Sequence, residues 1–272
     1  MTAQPKMLLV RRLADTAPEG MDIEYARRQW RSYVDTFGEH GWLIIEAEPL
    51  PEHPRGVFVG ELLTAVGAHA LCPPSAPEGR GAELRTLTTT ARGVGLSIER
   101  IVGAIGAADI VDAGRTVYIG RPPESDERDF DEVAAVLTRW RRTPRGIPLP
   151  AGVRLSTVLS VLPDGTLLGD PEVVGKSFAP DGFVAAPEPE GACVVGLDNR
   201  DVIVSAKAPR TVELLRQRGL RVMPLPMAEF ERFGGTIASL SVRSGEEGGH
   251  RTLSSFARRP LEWATGSVPL RR

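Results

Sequence analysis

One pattern recurs along the chain and restricts the fold more than any other feature: an apolar strand, a turn, a second strand, a helix and a third strand. Leu62 to Val66 and His69 to Cys72 flank Gly67, and a proline-rich loop, a helix near Ala82 to Arg92 and a strand at Ser97 to Val102 follow. The pattern then returns. Asp109 to Asp112 and Thr116 to Ile119 flank Ala113-Gly114-Arg115, ahead of a helix from about Asp126 to Arg141 and a strand at Ile147. Thr157 to Leu162 and Thr166 to Leu168 flank Pro163-Asp164-Gly165, the clearest hairpin signal. Cys193 to Leu197 and Val202 to Ser205 flank Asp198-Asn199-Arg200, then Pro209 starts a helix to about Arg218 and Arg221 to Leu225 is a strand. Ahead of these units come a strand at Met7 to Val10, a helix opened by Asp22 and running to about Glu39, and a buried strand at Trp42 to Ile45. Pro49, Pro51 and Pro54 break the chain before Val57-Phe58-Val59 resumes it.

A unit of roughly 45 residues cannot cover its own apolar faces, so several must pack against one another. An α/β ring of small sheets with helices outside satisfies that need. A doubly wound α/β sheet meets the same spacing and stands as the alternative.

Composition narrows the function classes. The 272 residues carry a net charge of −2 with 25% charged residues, which gives no global electrostatic reason to expect nucleic acid or an anionic membrane as partner. No apolar run approaches the roughly 18 residues a membrane span needs, and the N-terminus lacks a signal-peptide core, so a cytoplasmic protein is expected. Cys72 and Cys193 lie far apart without metal-ligand spacing and read as buried thiols. His40, His53, His69 and His250 are scattered, and neither a triad nor a metal site emerges. Gly93-Val94-Gly95 and Gly103-Ala104-Ile105-Gly106 are too sparse for a phosphate loop and mark turns. Arg139-Trp140-Arg141-Arg142 ends a helix, where cations suit the dipole. Accordingly, no cofactor and no metal are expected.

The stretch Gly234-Gly235-Thr236-Ile237-Ala238-Ser239-Leu240-Ser241-Val242-Arg243 carries the chemical question. It follows a short amphipathic helix, Met227 to Phe233, and reads as a double-glycine turn feeding a strand, with small residues leaving room for a ligand. This stretch resembles the closing segment of the dimethylarginine dimethylaminohydrolases, within the arginine deiminase or pentein superfamily, which has the form Gly-Gly-x-x-Cys-x-Ser-Leu-Arg. Further matches fall in order at Val57-Phe58-Val59, Tyr118-Ile119-Gly120 and Pro209-Arg210-Thr211. The resemblance covers most of the chain from about residue 20 to Arg243. It implies a five-bladed α/β propeller of ββαβ units, with the active site at the central channel.

It also implies which positions to inspect. Hydrolysis of a guanidinium carbon needs a nucleophile, a proton-accepting base and carboxylates that hold the cation. The family's nucleophilic cysteine position is held by Ser239, and its histidine base, in a Leu-His-Leu-Lys-Thr/Ser segment, resembles Val153-Arg154-Leu155-Ser156-Thr157, which puts Arg154 at the base. A guanidinium stays protonated and cannot accept a proton. The acidic pair after Val-Phe-Val corresponds to Gly60-Glu61, and a neighbouring aspartate to Arg55. Of the Glu-x-Gly-Asp segment, Gly106 holds the glutamate position while Asp109 keeps the aspartate. Arg80 matches one arginine of the α-carboxylate grip, whose second arginine falls at Glu124. The residues expected around a ligand are therefore Glu61, Arg80, Asp109, Arg154 and Ser239.

Residues 1–244 are expected to form one domain and residues 245–272 an extension, in which Phe256, Leu261 and Trp263 are candidate anchors. Three functions stand: a pentein that has lost catalysis and serves in binding, regulation or structure; an enzyme of the same fold acting on an anionic or neutral substrate; and an ordinary amidine hydrolase whose nucleophile lies at another position or in which Ser239 stands for a replaced cysteine. A small molecule in the central channel is the expected ligand, and a homodimer stays open.

Overall fold

The computed structural model describes residues 5–16, 18–74, 77–178 and 183–245. Its secondary structure runs β1 (Met7–Val10), α1 (Ile23–Glu39), β2 (Leu43–Glu46), β3 (Thr64–Val66), β4 (His69–Cys72), α2 (Gly81–Gly93), β5 (Ser97–Arg100), β6 (Ile110–Ala113), β7 (Thr116–Arg121), α3 (Glu127–Arg139), β8 (Thr143–Pro148), α4 (Leu155–Val158), β9 (Leu159–Val161), β10 (Leu167–Gly169), β11 (Phe183–Ala185), β12 (Val194–Gly196), β13 (Asp201–Ser205), α5 (Pro209–Gln217), β14 (Arg221–Leu225), α6 (Ala228–Arg232) and β15 (Val242–Ser244). Three-residue 3-10 turns at Val59–Glu61 and Ala107–Asp109 punctuate the order.

Local chemistry explains the boundaries. Asp22 caps α1 by accepting the Tyr25 amide at 2.9 Å, and Asp126 and Asp129 exchange side-chain and backbone hydrogen bonds at the start of α3. Gly67, between β3 and β4, and Gly114, between β6 and β7, take the left-handed backbone their tight turns require.

Five three-stranded sheets result, each with a first pair antiparallel and a second pair parallel. A parallel pair needs a crossover, supplied by α1, α2, α3 and α5 in four sheets. In the β9–β10–β11 sheet only a 3-10 turn, Gly175–Ser177, appears among the described crossover residues. The first sheet closes the ring: C-terminal β15 pairs with N-terminal β1, placing Leu8 opposite Arg243. Successive inner strands touch, β15 with β3, β3 with β6, β6 with β9 and β9 with β12. The five-bladed α/β propeller is therefore the observed fold, and the doubly wound sheet is excluded.

The core lies between blades as much as under each. Tyr33, Phe37, Phe58 and Phe230 are essentially fully buried in one apolar cluster with Cys193, Val195 and Leu197 of the fifth blade. At about 1.5–3 kcal/mol for each large apolar side chain removed from water, such clusters lock neighbouring sheets together. Trp42 adds a specific clasp by donating its indole N–H to Leu197 O at 2.9 Å.

Three expectations change. Val57-Phe58-Val59 leads into a 3-10 turn rather than a strand, because Gly60 must fold back to donate its amide to Ser239 O. Thr157 starts no strand: residues Leu155–Val158 form one helical turn before β9. Ser239 is not on a strand either, since residues 237–240 are turns and β15 starts only at Val242. The candidate anchors Phe256, Leu261 and Trp263 and the tail histidine His250 lie outside the described residues. Among the described residues, no helix is long and apolar enough to cross a membrane.

Candidate active site at the channel mouth

Two cavities occupy the propeller axis. One, of about 460 Å³, is walled by the innermost strands of all five blades: Thr64 and Ala65, Ile110 to Ala113, Leu159 to Val161, Val194 to Gly196, and Val242 to Ser244. The other, of about 490 Å³, opens where the connecting loops converge; Glu61, Arg154 and Ser239 line it together with Arg55, Ser156, Thr157 and the Gly103–Gly106 turn. Gly60 and Ser156 contribute to both walls.

The double glycine positions Ser239. Gly234 follows α6 with φ +76°, and a side chain at Gly235 would place its Cβ 2.1 Å from the Phe58 ring. The chain then turns so that Ser239 Oγ accepts from Thr236 N at 2.9 Å and donates to Thr236 O at 2.7 Å. Those two bonds close the hydroxyl on its own turn. Among the described residues, neither an imidazole nor a carboxylate hydrogen-bonds to it.

Gly60 lies against the same turn. Its amide donates to Ser239 O at 2.9 Å, and a Cβ there would meet Ala238 O at 2.8 Å and Ser239 Cα at 3.2 Å. This explains in packing terms why no carboxylate is present at this position.

Arg154 stands just before α4 and reaches over Gly106 to Asp109, Nη1 to Oδ2 2.9 Å. Asp109 ends its 3-10 turn wholly buried, and it also accepts the Gly106 amide at 3.0 Å and the Leu155 amide at 3.4 Å. Burial pushes the Asp109 carboxyl above its ordinary pKa, while the Gly106 amide and the Arg154 guanidinium pull it back. Arg154 itself keeps 46% of its side chain exposed at the mouth.

A second charge cluster lies opposite. Glu61 accepts from Arg55 Nη2 at 2.7 Å and from Arg80 Nη1 at 2.5 Å, so both its oxygens are taken. Arg80 is nine-tenths buried behind Glu61, where its guanidinium also serves Glu83 Oε2, Arg55 O and Phe58 O. Glu83, itself buried, meets His53 Nδ1 at 3.4 Å. Arg11, fully buried, donates to the carbonyls of Glu48, Gly56 and Glu83 and so ties the 48–56 loop beneath this cluster.

Of the five expected site residues, Glu61, Arg154 and Ser239 line one cavity; Asp109 touches it through Arg154, and Arg80 stands behind Glu61. Glu124 is exposed on the loop after β7 and does not line the cavity. Arg55 and Ser156 also line it: Arg55 is the position the resemblance sets beside Gly60-Glu61, and Ser156 lies two residues past Arg154 in the segment matched to the base. The grouping around His40 was unforeseen. His40 closes α1 with Nε2 3.2 Å from Asp201 Oδ2, and with Asp198 this forms a metal-like grouping; Arg221, however, is bonded to both Asp201 oxygens and already neutralises them. The two cysteines are free buried thiols.

Comparison with known proteins bears on this architecture. The chain is 29% identical over 252 residues to the N(G),N(G)-dimethylarginine dimethylaminohydrolase of Streptomyces coelicolor, across 89% of this chain and 98% of that one. Identity to the Pseudomonas aeruginosa protein of the same name is 26% over 228 residues, covering 82% and 89%. No protein-family profile matches. Among solved structures, a cysteine-to-serine mutant of the Pseudomonas aeruginosa protein complexed with citrulline superposes with a TM-score of 0.76 at 22% identity, covering 89% of this chain and all of that one. The N-terminal domain of ArgZ, described as a cyanobacterial arginine dihydrolase, superposes with a TM-score of 0.75 at 19% identity, covering 88% and 97%. Along nearly its whole length the chain is thus similar in sequence to dimethylarginine dimethylaminohydrolases, and it shares the five-bladed fold of the dimethylarginine dimethylaminohydrolase/arginine deiminase, or pentein, superfamily.

Proposed function

We propose that this pentein is catalytically degenerate: it keeps the fold of an amidine hydrolase and uses the channel mouth for binding rather than hydrolysis. The observation that carries this reading is the Arg154 guanidinium, which the resemblance aligns with the histidine base, lining the cavity and held by the buried Asp109 carboxylate at 2.9 Å. A permanently protonated guanidinium has no lone pair with which to take a proton from a nucleophile or a water.

The other parts agree with it. Ser239 supplies a hydroxyl where a thiolate is needed, and its hydrogen bonds run to Thr236 instead of to a base. Gly60 has no room for a carboxylate, and Glu61 is committed to Arg55 and Arg80. Nucleophile and base act as a unit in such reactions, so losing both removes orders of magnitude in rate.

Incubating the full chain with dimethylarginine, arginine and agmatine, then assaying ureido products such as citrulline, tests the proposal. The expected result is no product above the buffer control. Turnover near the roughly 10 s⁻¹ typical of enzymes would overturn it.

A further inference from the structure

The charge pairing at the mouth narrows what a binding pentein of this kind would hold. Both Glu61 oxygens are occupied by arginines, and Asp109 accepts from Arg154, Gly106 N and Leu155 N. A guanidinium or ammonium ligand would therefore have to displace an existing ion pair before meeting a carboxylate.

Arg154 has the opposite character. Only its Nη1 is engaged by a side chain; among the described residues Nε and Nη2 have no partner, and 46% of the side chain faces solvent at the cavity. The buried carboxylate fixes one edge of the planar group and leaves the other presented outward. Ser156 lines the same cavity, and its hydroxyl has no hydrogen bond among the described residues. Across the cluster the three arginines Arg55, Arg80 and Arg154 are matched by the three acids Glu61, Glu83 and Asp109, and what distinguishes Arg154 is the free edge of its guanidinium.

We propose that the mouth binds a small molecule through an oxyanion, a carboxylate or a phosphate, seated on the outer edge of Arg154 with Ser156 as an additional donor. The planar fork of a guanidinium matches either group with two parallel N–H donors. The proposal rests on the non-hydrolytic reading of the same cavity, and it specifies the ligand class that reading leaves open.

Isothermal titration and thermal-shift measurements on the full chain at low ionic strength test it, with succinate and inorganic phosphate as oxyanion probes and agmatine and methylguanidine as cation probes. At least one oxyanion is expected to bind and raise the unfolding midpoint, and succinate against phosphate tells the two chemistries apart. The cations are expected to leave the midpoint unchanged. Arg154→Lys keeps the charge but loses the fork, and should weaken binding about tenfold, the size of one charge-assisted hydrogen bond. The double variant Arg154→Gln, Asp109→Asn removes the pair without stranding a buried charge, and should weaken it at least as much. Arg139→Gln, on the outer helix α3, should bind like the natural chain.

Tighter binding of a cation, undiminished oxyanion binding by the double variant, or no oxyanion binding at all would each overturn the inference. A product assay on the same samples separates the two proposals. No product and no oxyanion binding sinks this inference alone, whereas amidine turnover sinks the reading beneath it.

Discussion

Arg154 and Asp109 form an ion pair, Nη1 to Oδ2 2.9 Å, in which the acid is wholly buried and the base half-exposed. The asymmetry fixes what each can do. Asp109, enclosed by Gly106 and Leu155 amides, cannot reach a substrate without losing Arg154, while Arg154 is anchored at one edge and open at the other.

That pair has a titration signature. Burial lifts the Asp109 pKa above its ordinary 3.8, opposed by the Gly106 amide and Arg154. A raised folded-state pKa means that the protonated carboxyl suits the fold better, so its contribution is fully present below pH 3.8 and is lost as pH climbs through the raised value. Arg154→Gln removes one opposing charge and lifts the value further. The variant should lose about 1–3 kcal/mol near neutrality, the lower end favoured because Arg154 is solvent-screened, and the deficit should shrink in acid. Denaturant melts of both proteins across the acid range check this, and carboxyl-carbon NMR of Asp109 reads the shift itself.

Gly60 bears on the proposed loss of hydrolysis. Any side chain there collides with the backbone of residues 238–241, so Gly60→Asp should cost about 1–3 kcal/mol through overpacking, measured by thermal melt. For the same reason Ser239→Cys combined with Arg154→His should regain no amidine turnover under the proposed reading, since Gly60, the position the resemblance assigns to a carboxylate, has no room for a side chain.

Glu188 gives the opposite pH sign. Burial alone would raise its pKa, but hydrogen bonds from Thr211 Oγ1 at 2.7 Å and from the Arg210 and Thr211 amides at 2.7 and 2.9 Å outweigh it and hold the value below the ordinary 4.5. These are the unpaired amides at the start of α5, and Glu188 caps them from the preceding loop. A depressed carboxyl stabilises above pH 4.5 and loses that contribution as pH falls through its folded value. Glu188→Gln should therefore destabilise by about 1–2 kcal/mol at neutral pH, with the gap closing in acid, as followed by urea melts.

Much of the fold was legible because it is written locally. The Asp22 cap, the turn glycines Gly67 and Gly114, and the alternation of short apolar runs with helical periods each report on a few neighbouring residues. The site was legible only as positions. That Arg154, Glu61 and Ser239 line one cavity came from ordered motif matches, but their pairings did not: Arg154 with Asp109 and His40 with Asp201 meet across blades, and Arg55 meets Glu61 within one segment only because a 3-10 turn folds it against the Ser239 loop. Arg80 illustrates the limit: the resemblance assigns it to a carboxylate grip, whereas its surroundings bury it between Glu61 and Glu83. Strand assignments failed where tertiary contacts override apolar pattern, as at Val57-Phe58-Val59, whose chain is drawn into a 3-10 turn against the Ser239 loop.

The central proposal is that Ser239 has no proton acceptor to activate it at the channel mouth, because Arg154 has no lone pair to offer and the Glu61 carboxylate is held by Arg55 and Arg80. Its most direct test is to hold the protein in stoichiometric excess over dimethylarginine in heavy-oxygen water and to follow citrulline by mass spectrometry. The account predicts that no labelled citrulline forms beyond the rate in buffer alone; labelled product appearing within seconds, even for a single turnover, would contradict it.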